Sequence, residues 1–371
     1  MKIIILRSNL KEAISYVEKI SGENINFPIL KNVLIEARDE NIYLTTTNLE
    51  IAITSIISGK IIKDGKITIP VNIFSNLISN ITSDRLNIEQ KDNSIELKTD
   101  NYSAVLQGSS ADEFPITPKI KDYNNLLKIN GLILKEALQQ VLVASQISDL
   151  RPELSSVLLN FSIDDLKFVS TDGFRLAEKI IQSNLFSIKN KEPFKILIPI
   201  RTAQEILRII KDDDIVDISF DDNQILFKTN SIELISRIIN GSFPDYSQLI
   251  SNKFNTEIIL NKEDFLNAIK LVSIFGQKNN EIGLKINENS KNIEISSSDQ
   301  SFGENNYIIS SKIKGESNEI FFNWKYLSSA LKAVKSDEVF IGIGDEMAPA
   351  LIRGNGDNSY VYILKPIIKS N

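Results

Sequence analysis

The chain of 371 residues contains no cysteine and no histidine. The first absence excludes disulfides, thiolate nucleophiles and cysteine-based metal sites. The second removes the most common general base and the usual zinc ligand. Long hydrophobic runs are also missing. The apolar stretch Ile3 to Leu6 lies between Lys2 and Arg7 and is too short for a signal peptide or a spanning helix, and no later stretch is long enough to cross a bilayer. A cytoplasmic protein with no membrane partner is expected. An excess of positive charge is lacking too: 42 Lys and Arg stand against 48 Asp and Glu, for a net charge of −6. That argues against an overall basic DNA binder, but not against a local positive surface on an acidic body.

The remaining composition is that of an ordinary globular protein, 42% hydrophobic and 24% charged. The length suits two or three domains with cores of their own. Few residues invite catalysis. Asp212-Asp213-Asp214 and Asp221-Asp222 are the dense carboxylate clusters, and a hard metal would want such ligands. Both fall at predicted turns flanking the strand Ile215 to Phe220, so they read as solvated turns. Gly354-Asn355-Gly356-Asp357 sits in a predicted hairpin loop, without the strand-loop-helix setting of a phosphate cradle. Trp324, at a helix start, reads as packing. No catalytic residue, metal ligand or cofactor is expected.

The chain repeats itself. Lys66-Ile67-Thr68-Ile69-Pro70 precedes a helical pattern at Phe74, Leu77, Ile78 and Ile81. Lys195-Ile196-Leu197-Ile198-Pro199 precedes another at Ala203, Ile206, Leu207 and Ile210. Pro70 and Pro199 are 129 positions apart, and so are Pro115 and Pro244 of the two Phe-Pro landmarks. Two landmarks with one offset signal an internal repeat. A weaker third copy has Glu319 to Asn323, then Tyr326, Leu327, Ala330, Leu331 and Val334. The first half of each copy also recurs as a strand leading into an amphipathic helix: Leu10, Ala13, Ile14, Val17; Leu134, Ala137, Leu138, Val141; Phe265, Ala268, Ile269, Val272. Each has the spacing of one buried stripe. Ser8 and Asn261 are expected as N-caps of the first and third. The fold class is therefore α+β: three similar domains, 1–120, 121–250 and 251–371, each with two helices on one face of antiparallel sheets. Thr117 to Asn125 and Ser247 to Thr256 are the expected polar connectors.

One stretch stands apart, Ser170-Thr171-Asp172-Gly173-Phe174-Arg175-Leu176-Ala177. Asp172-Gly173 signals a tight turn between two strands, and Arg175 is placed to reach back across it. The octapeptide resembles the TDGxRLA segment of the bacterial DNA polymerase III β subunit, the sliding clamp family. Phe27-Pro28-Ile29-Leu30, Phe243-Pro244-Asp245-Tyr246 and Tyr360-Val361-Tyr362-Ile363-Leu364-Lys365-Pro366 resemble further family landmarks in the same order, so the resemblance covers the whole chain.

The resemblance implies three DNA-clamp domains, with two chains closing head to tail into a ring around double-stranded DNA without sequence preference. It implies a non-catalytic processivity factor that tethers the polymerase III alpha subunit, the clamp loader and other replication and repair proteins through their linear motifs. Positions matching the partner-peptide cleft are Leu154, Thr171, Gly173, Phe174, Arg175, Leu176, Pro244, Gln248, Leu249, Tyr326, Pro349, Ile363, Lys365, Pro366 and Ile367. Helix cations implied to face DNA are Lys11, Lys135, Arg201, Arg208, Lys262, Lys270, Lys325 and Lys332. The homodimer interface is implied at Ala104 and Leu106 on one side and Ile274 and Phe275 on the other. Three departures are visible. Phe174 stands where His is frequent, Lys365 where Met is frequent, and the tail continues through Ile368-Lys369-Ser370-Asn371. Pro366 cannot donate to a sheet, so the tail is expected to leave it and carry Pro366 and Ile367 to a pocket of Thr171, Leu176, Pro244 and Leu249. The competing readings are a triplicated protein-binding scaffold that does not encircle DNA, and an enzyme using carboxylates and hydroxyls alone.

Overall fold

Among the described residues, six α-helices each follow directly on a strand. In the computed structural model these are α1 (Arg7–Val17), α2 (Val71–Asn80), α3 (Gly131–Leu142), α4 (Ile200–Ile209), α5 (Lys262–Val272) and α6 (Trp324–Ala333). The structure describes residues 1–22, 27–118, 120, 127–148, 150–162, 165–251, 253–276, 280–345 and 347–368. All twelve residues of the three stripes expected on α1, α3 and α5 are buried. Each large aliphatic side chain so buried contributes roughly 1.5–3 kcal/mol of transfer free energy, so the apolar spacing holds these helices to their sheets.

The caps divide. Asn261 Oδ1 accepts from the Asp264 amide at 3.1 Å, as its position before α5 requires. Ser8 is not a cap: α1 begins at Arg7, Leu6 occupies the cap position in an extended conformation, and Ser8 lies inside the first turn. The strand Lys2–Leu6 explains this, because its buried Ile3 and Ile5 fix the register up to Leu6. The Arg7 amide then donates to the Asp84 carbonyl at 2.8 Å, and the chain turns at once into the helix. Asn323 is a cap that the sequence reading missed; its Oδ1 accepts from the Lys325 and Tyr326 amides.

The chain forms two compact units. The first comprises Met1–Lys135, Phe186–Asn190 and Gln204–Ile238. It holds a five-stranded sheet in the order Lys60–Lys63, Lys2–Leu6, Arg85–Lys91, Ser94–Lys98, Ser103–Gln107. It also holds a nine-stranded sheet in which Ile232–Arg237, from the second repeat, pairs with Ile51–Ser58, from the first. Ile120 is buried against Ala52, Leu226 and Ile235 of that sheet. Most of the expected connector around it, residues 119 and 121–125, lies outside the described residues.

The second unit comprises Glu136–Leu185, Lys191–Ala203 and Ile239–Asn371. Its nine-stranded sheet runs Phe194–Pro199, Ser156–Phe161, Asp165–Thr171, Arg175–Gln182, Tyr360–Leu364, Ala350–Gly354, Glu338–Ile343, Thr256–Asn261, Lys312–Gly315. A strand of the second repeat and one of the third meet at its centre, with Arg175 opposite Leu364 and Leu176 opposite Ile363. One face of this junction carries Leu158, Val169, Leu176, Leu197, Val361 and Ile363, and the segment after Ile239 packs on it through Phe243, Tyr246, Ile250 and Phe254. The connector expected to be polar at Ser247 to Thr256 therefore contributes apolar cover. A four-stranded sheet in the order Gly303–Ser310, Asn292–Asp299, Glu281–Asn287, Asn318–Asn323 completes the unit. Among the described residues no helix is long and apolar enough to cross a membrane.

Candidate functional site

The turn between Asp165–Thr171 and Arg175–Gln182 is built from its own side chains. Thr171 Oγ1 donates to the Arg175 carbonyl at 2.6 Å and accepts from the Gly173 amide at 3.1 Å. Asp172 Oδ1 accepts from the amides of Phe174 and Arg175, at 2.9 and 3.1 Å. Its Oδ2 takes the Arg175 Nε at 2.9 Å, with the Asp172 side chain only 2% exposed. Gly173 supplies the φ of +89° that closes the turn. The Arg175 guanidinium lies 4.1 Å from the centre of the Tyr326 ring, and Tyr362 Oη donates to the Tyr326 carbonyl at 3.2 Å. Arg175 thus does reach back across the turn, and it also joins the turn to α6.

The first repeat makes the same turn. Thr47 Oγ1 donates to the Ile51 carbonyl, the Leu49 amide donates to Thr47 Oγ1, and Asn48 Oδ1 accepts from Glu50 and Ile51. Leu49 holds the position of Gly173, at φ +75°. The central turn differs in chemistry, because Asp172 and Arg175 replace Asn48 and Ile51.

Eight expected cleft positions form one connected group: Thr171, Gly173, Phe174, Arg175, Leu176, Tyr326, Ile363 and Lys365. Lys365 joins through its amide, which donates to the Phe174 carbonyl at 2.9 Å. Pro244 is exposed between Phe243 and Tyr246, both packed on the apolar row that includes Leu176 and Ile363. Leu154 is buried at the end of the short turn Pro152–Leu154, Pro349 is half-buried before Ala350–Gly354, and Gln248 and Leu249 are exposed on Ser247–Leu249. Among the described residues these four stand outside the group's hydrogen bonds. The tail leaves the sheet at Lys365, as the proline requires. The Ile367 amide then donates to the Phe321 carbonyl at 2.7 Å, which ties the tail backbone to the edge strand Asn318–Asn323. Ile368 then lines a polar cavity of about 1070 Å³ together with Phe275 and Phe321. Residues 369–371 lie outside the described residues.

Three tyrosines flank this junction, Tyr246 on the face of the apolar row and Tyr360 and Tyr362 on the opposite face of their strand. Tyr246 Oη donates to the buried Glu178 Oε2 at 2.6 Å; burial, then this hydrogen bond, hold its phenol above the ordinary value. Burial likewise raises Tyr360 and Tyr362. A raised tyrosine stays neutral in the fold while the unfolded chain ionises near pH 10. Its stabilising contribution is therefore complete below about pH 10 and is lost as pH rises beyond it. Urea midpoints are expected to be flat between about pH 8 and pH 9.5 and to fall steeply above about pH 10. A flat profile to about pH 11 would contradict this placement of the three phenols.

The helix cations fall into two groups. Lys11, Arg201, Lys270, Lys325 and Lys332 are exposed. Lys135 pairs with Asp212 at 2.5 Å, and Lys262 Nζ donates to the Val334 carbonyl at 3.2 Å. Arg208 is the most committed: it pairs with Glu205 and donates at 2.6 Å to the carbonyls of both Ser15 and Tyr16, near the end of α1. Asp214 and Asp221 close turns on nearby backbone amides, and no cluster of three metal-ligating side chains occurs among the described residues.

Two sheet edges complete the picture. Ser103–Gln107 ends the five-stranded sheet, with Val105 60% exposed, Ala104 half-buried and Leu106 buried in its own unit. Gly303–Ser310 ends the four-stranded sheet, with Phe302, Tyr307 and Ile308 exposed beside it. Ile274 is 59% exposed just after α5, and Phe275 is half-buried. Val105 and Ile308 escaped the sequence reading because exposed apolar residues on an edge leave no periodic signal.

A threefold strand-helix-sheet repeat, with neighbouring repeats sharing sheets and an apolar row beside the turn of Thr171 to Arg175, defines the DNA sliding clamp class. The chain matches the descriptions of the DNA polymerase III beta subunit throughout: the N-terminal domain over residues 1–118, the central domain over 128–245 and the C-terminal domain over 247–368. It belongs to that family and acts as a DNA sliding clamp, the processivity factor of replication. The beta sliding clamp of Bacillus subtilis is 28% identical over 380 residues, and that of Synechococcus elongatus 26% over 374, each alignment covering 99% of both chains. The crystal structure of the Bacillus subtilis DNA polymerase sliding clamp superposes with a TM-score of 0.94 at 28% identity, covering 100% of both chains. A Pseudomonas aeruginosa clamp solved bound to griselimycin shares the fold, with a TM-score of 0.94 at 21% identity.

Proposed function

We propose that two copies of the chain close head to tail into a ring around duplex DNA, the first domain of one copy meeting the third domain of the other. The domains are taken as 1–120, 121–250 and 251–371. The observation that carries this reading is the pair of open edges, Ser103–Gln107 and Gly303–Ser310, each with exposed apolar side chains. Soluble proteins seldom leave such edges uncovered. They are different surfaces on one chain, so their contact is heterologous, and a half-turn closes two copies into a ring. Lys11, Arg201, Lys270, Lys325 and Lys332 supply diffuse positive charge towards phosphate, without reading bases. The junction of Thr171 to Leu176 with Ile363 to Lys365 takes short apolar segments of the polymerase alpha subunit, the clamp loader and repair proteins. The ring itself catalyses nothing, and it works in the cytoplasm.

The test combines mass in solution with retention on DNA. A dimer held on circular DNA and released when the circle is cut is expected. Release that is equal from circles and linear DNA would sink the ring. The arginines give a finer test. Arg201→Glu is expected to weaken retention and to lower the salt slope by about 1. Arg208→Glu removes the donor to two α1 carbonyls, so it is expected to cost about 1–3 kcal/mol of folding stability. An unchanged salt slope in the Arg201 variant would place that side chain away from DNA.

A further inference from the structure

The chain contains three asparagine-glycine pairs, Asn130-Gly131, Asn240-Gly241 and Asn355-Gly356. In such a pair the glycine amide nitrogen can attack the asparagine Cγ, because the glycine has no Cβ to obstruct the approach. The fold treats the three pairs differently. At Asn130-Gly131 both reacting groups are held. The Gly131 amide donates to the Asp214 carbonyl at 2.8 Å, Asn130 Oδ1 accepts from the Leu132 amide at 3.0 Å, and Gly131 is buried. Asn355-Gly356 is exposed, but Asn355 is tied twice to Glu338. Its Nδ2 donates to Glu338 Oε2 at 2.9 Å and its amide to the Glu338 carbonyl at 3.0 Å. Asn240 and Gly241 are both exposed, and among the described residues neither the Asn240 side chain nor the Gly241 amide has a hydrogen-bond partner.

We infer that Asn240-Gly241 is a modification site, where the folded chain deamidates through a cyclic imide. The Gly241 nitrogen loses its proton to hydroxide and bonds to Asn240 Cγ. The bond from Cγ to Nδ2 breaks, and Nδ2 leaves as ammonia after taking a proton from water. Water then opens the ring. Cleavage between the Gly241 nitrogen and Cγ gives aspartate, whereas cleavage between that nitrogen and the backbone carbonyl carbon of residue 240 gives isoaspartate. The change falls between two anchors: the Ile239 amide donates to the Leu197 carbonyl at 2.9 Å, and Phe243 packs on the apolar row. Isoaspartate lengthens this connection by a methylene. Either product adds a carboxylate near Glu153, whose Cβ lies 3.7 Å from where a Cβ on Gly241 would stand.

The experiment incubates the full chain in alkaline buffer, folded and in concentrated urea, and follows each pair by peptide mass spectrometry. In the folded chain Asn240 is expected to lose its amide about 10- to 100-fold faster than Asn130 or Asn355, since the other two are held away from the attacking geometry. In urea the three rates should converge, because only the shared dipeptide remains. Asn240→Gln should remove the main acidic product of the folded chain. Glu338→Ala should release Asn355 and raise its rate alone. Equal rates in the folded chain, or a ranking that survives in urea, would overturn the inference. An unchanged Asn355 rate in Glu338→Ala would overturn the protection assigned to its hydrogen bonds.

Discussion

Asp172→Ala is expected to destabilise the second unit by about 3–5 kcal/mol, the cost of removing one partner from a buried ion pair. The geometry explains the size. The carboxylate is 2% exposed and Arg175 is 12% exposed, so alanine leaves a guanidinium in place with its counter-charge gone. The same substitution frees the amides of Phe174 and Arg175. The first repeat supplies the control, because Asn48 makes the corresponding two hydrogen bonds without any charge. Asp172→Asn should therefore keep the turn, lose only the ion pair, and fall between the parent chain and the alanine variant. Urea unfolding of the three proteins measures both steps. An alanine variant within about 0.5 kcal/mol of the parent would mean that the pair adds no more than a surface salt bridge. Peptide binding should fall with the turn, because Phe174 and the Lys365 amide both depend on its shape.

Much of this turn was legible in the sequence. Asp-Gly between two apolar strands marks a turn, and an arginine two residues beyond the glycine can bridge it. The helices were legible for a similar reason: their stripes are local patterns, and burial of the expected residues follows from 3.6-residue periodicity. What was hidden depends on distant partners. Gly303–Ser310 is an edge strand with little buried surface, so it shows no alternation, and only its pairing with Asn292–Asp299 defines it. Ser8 has the right chemistry for a cap, but the register of the preceding strand puts Leu6 there. Proline tells where a strand ends and not which backbone group the chain meets next: the Ile367 amide finds the Phe321 carbonyl, 46 positions upstream. Arg208 has the composition of a DNA contact, yet two α1 carbonyls hold it. A repeat in sequence also does not reveal which strands of neighbouring repeats will share a sheet, as Ile51–Ser58 and Ile232–Arg237 do.

The second large effect concerns the ring. Replacing Ile274 and Phe275 together by alanine is expected to convert dimers into folded monomers. Both lie just beyond α5 on the unit that carries the open edge Gly303–Ser310, and Gly303 lies against Phe275. Removing their apolar burial at the contact should weaken association by about 3–6 kcal/mol, a loss of roughly 150- to 20,000-fold in affinity. The fold should survive, since Ile274 is 59% exposed in the single chain and its truncation leaves little cavity. The opposite side of the contact is a poorer place to cut. Leu106 is 7% exposed and belongs to the core of its own unit, so Leu106→Ala should cost stability before it costs association. Ala104 is already small, which leaves Val105 as the main apolar group that this edge presents. Sedimentation velocity of the Ile274 and Phe275 double variant, run beside its thermal unfolding, separates the two effects. A monomer with the parent's melting temperature supports the edge-to-edge ring. An unchanged dimer would move the interface elsewhere, and the open strands Ser103–Gln107 and Gly303–Ser310 would then need another cover.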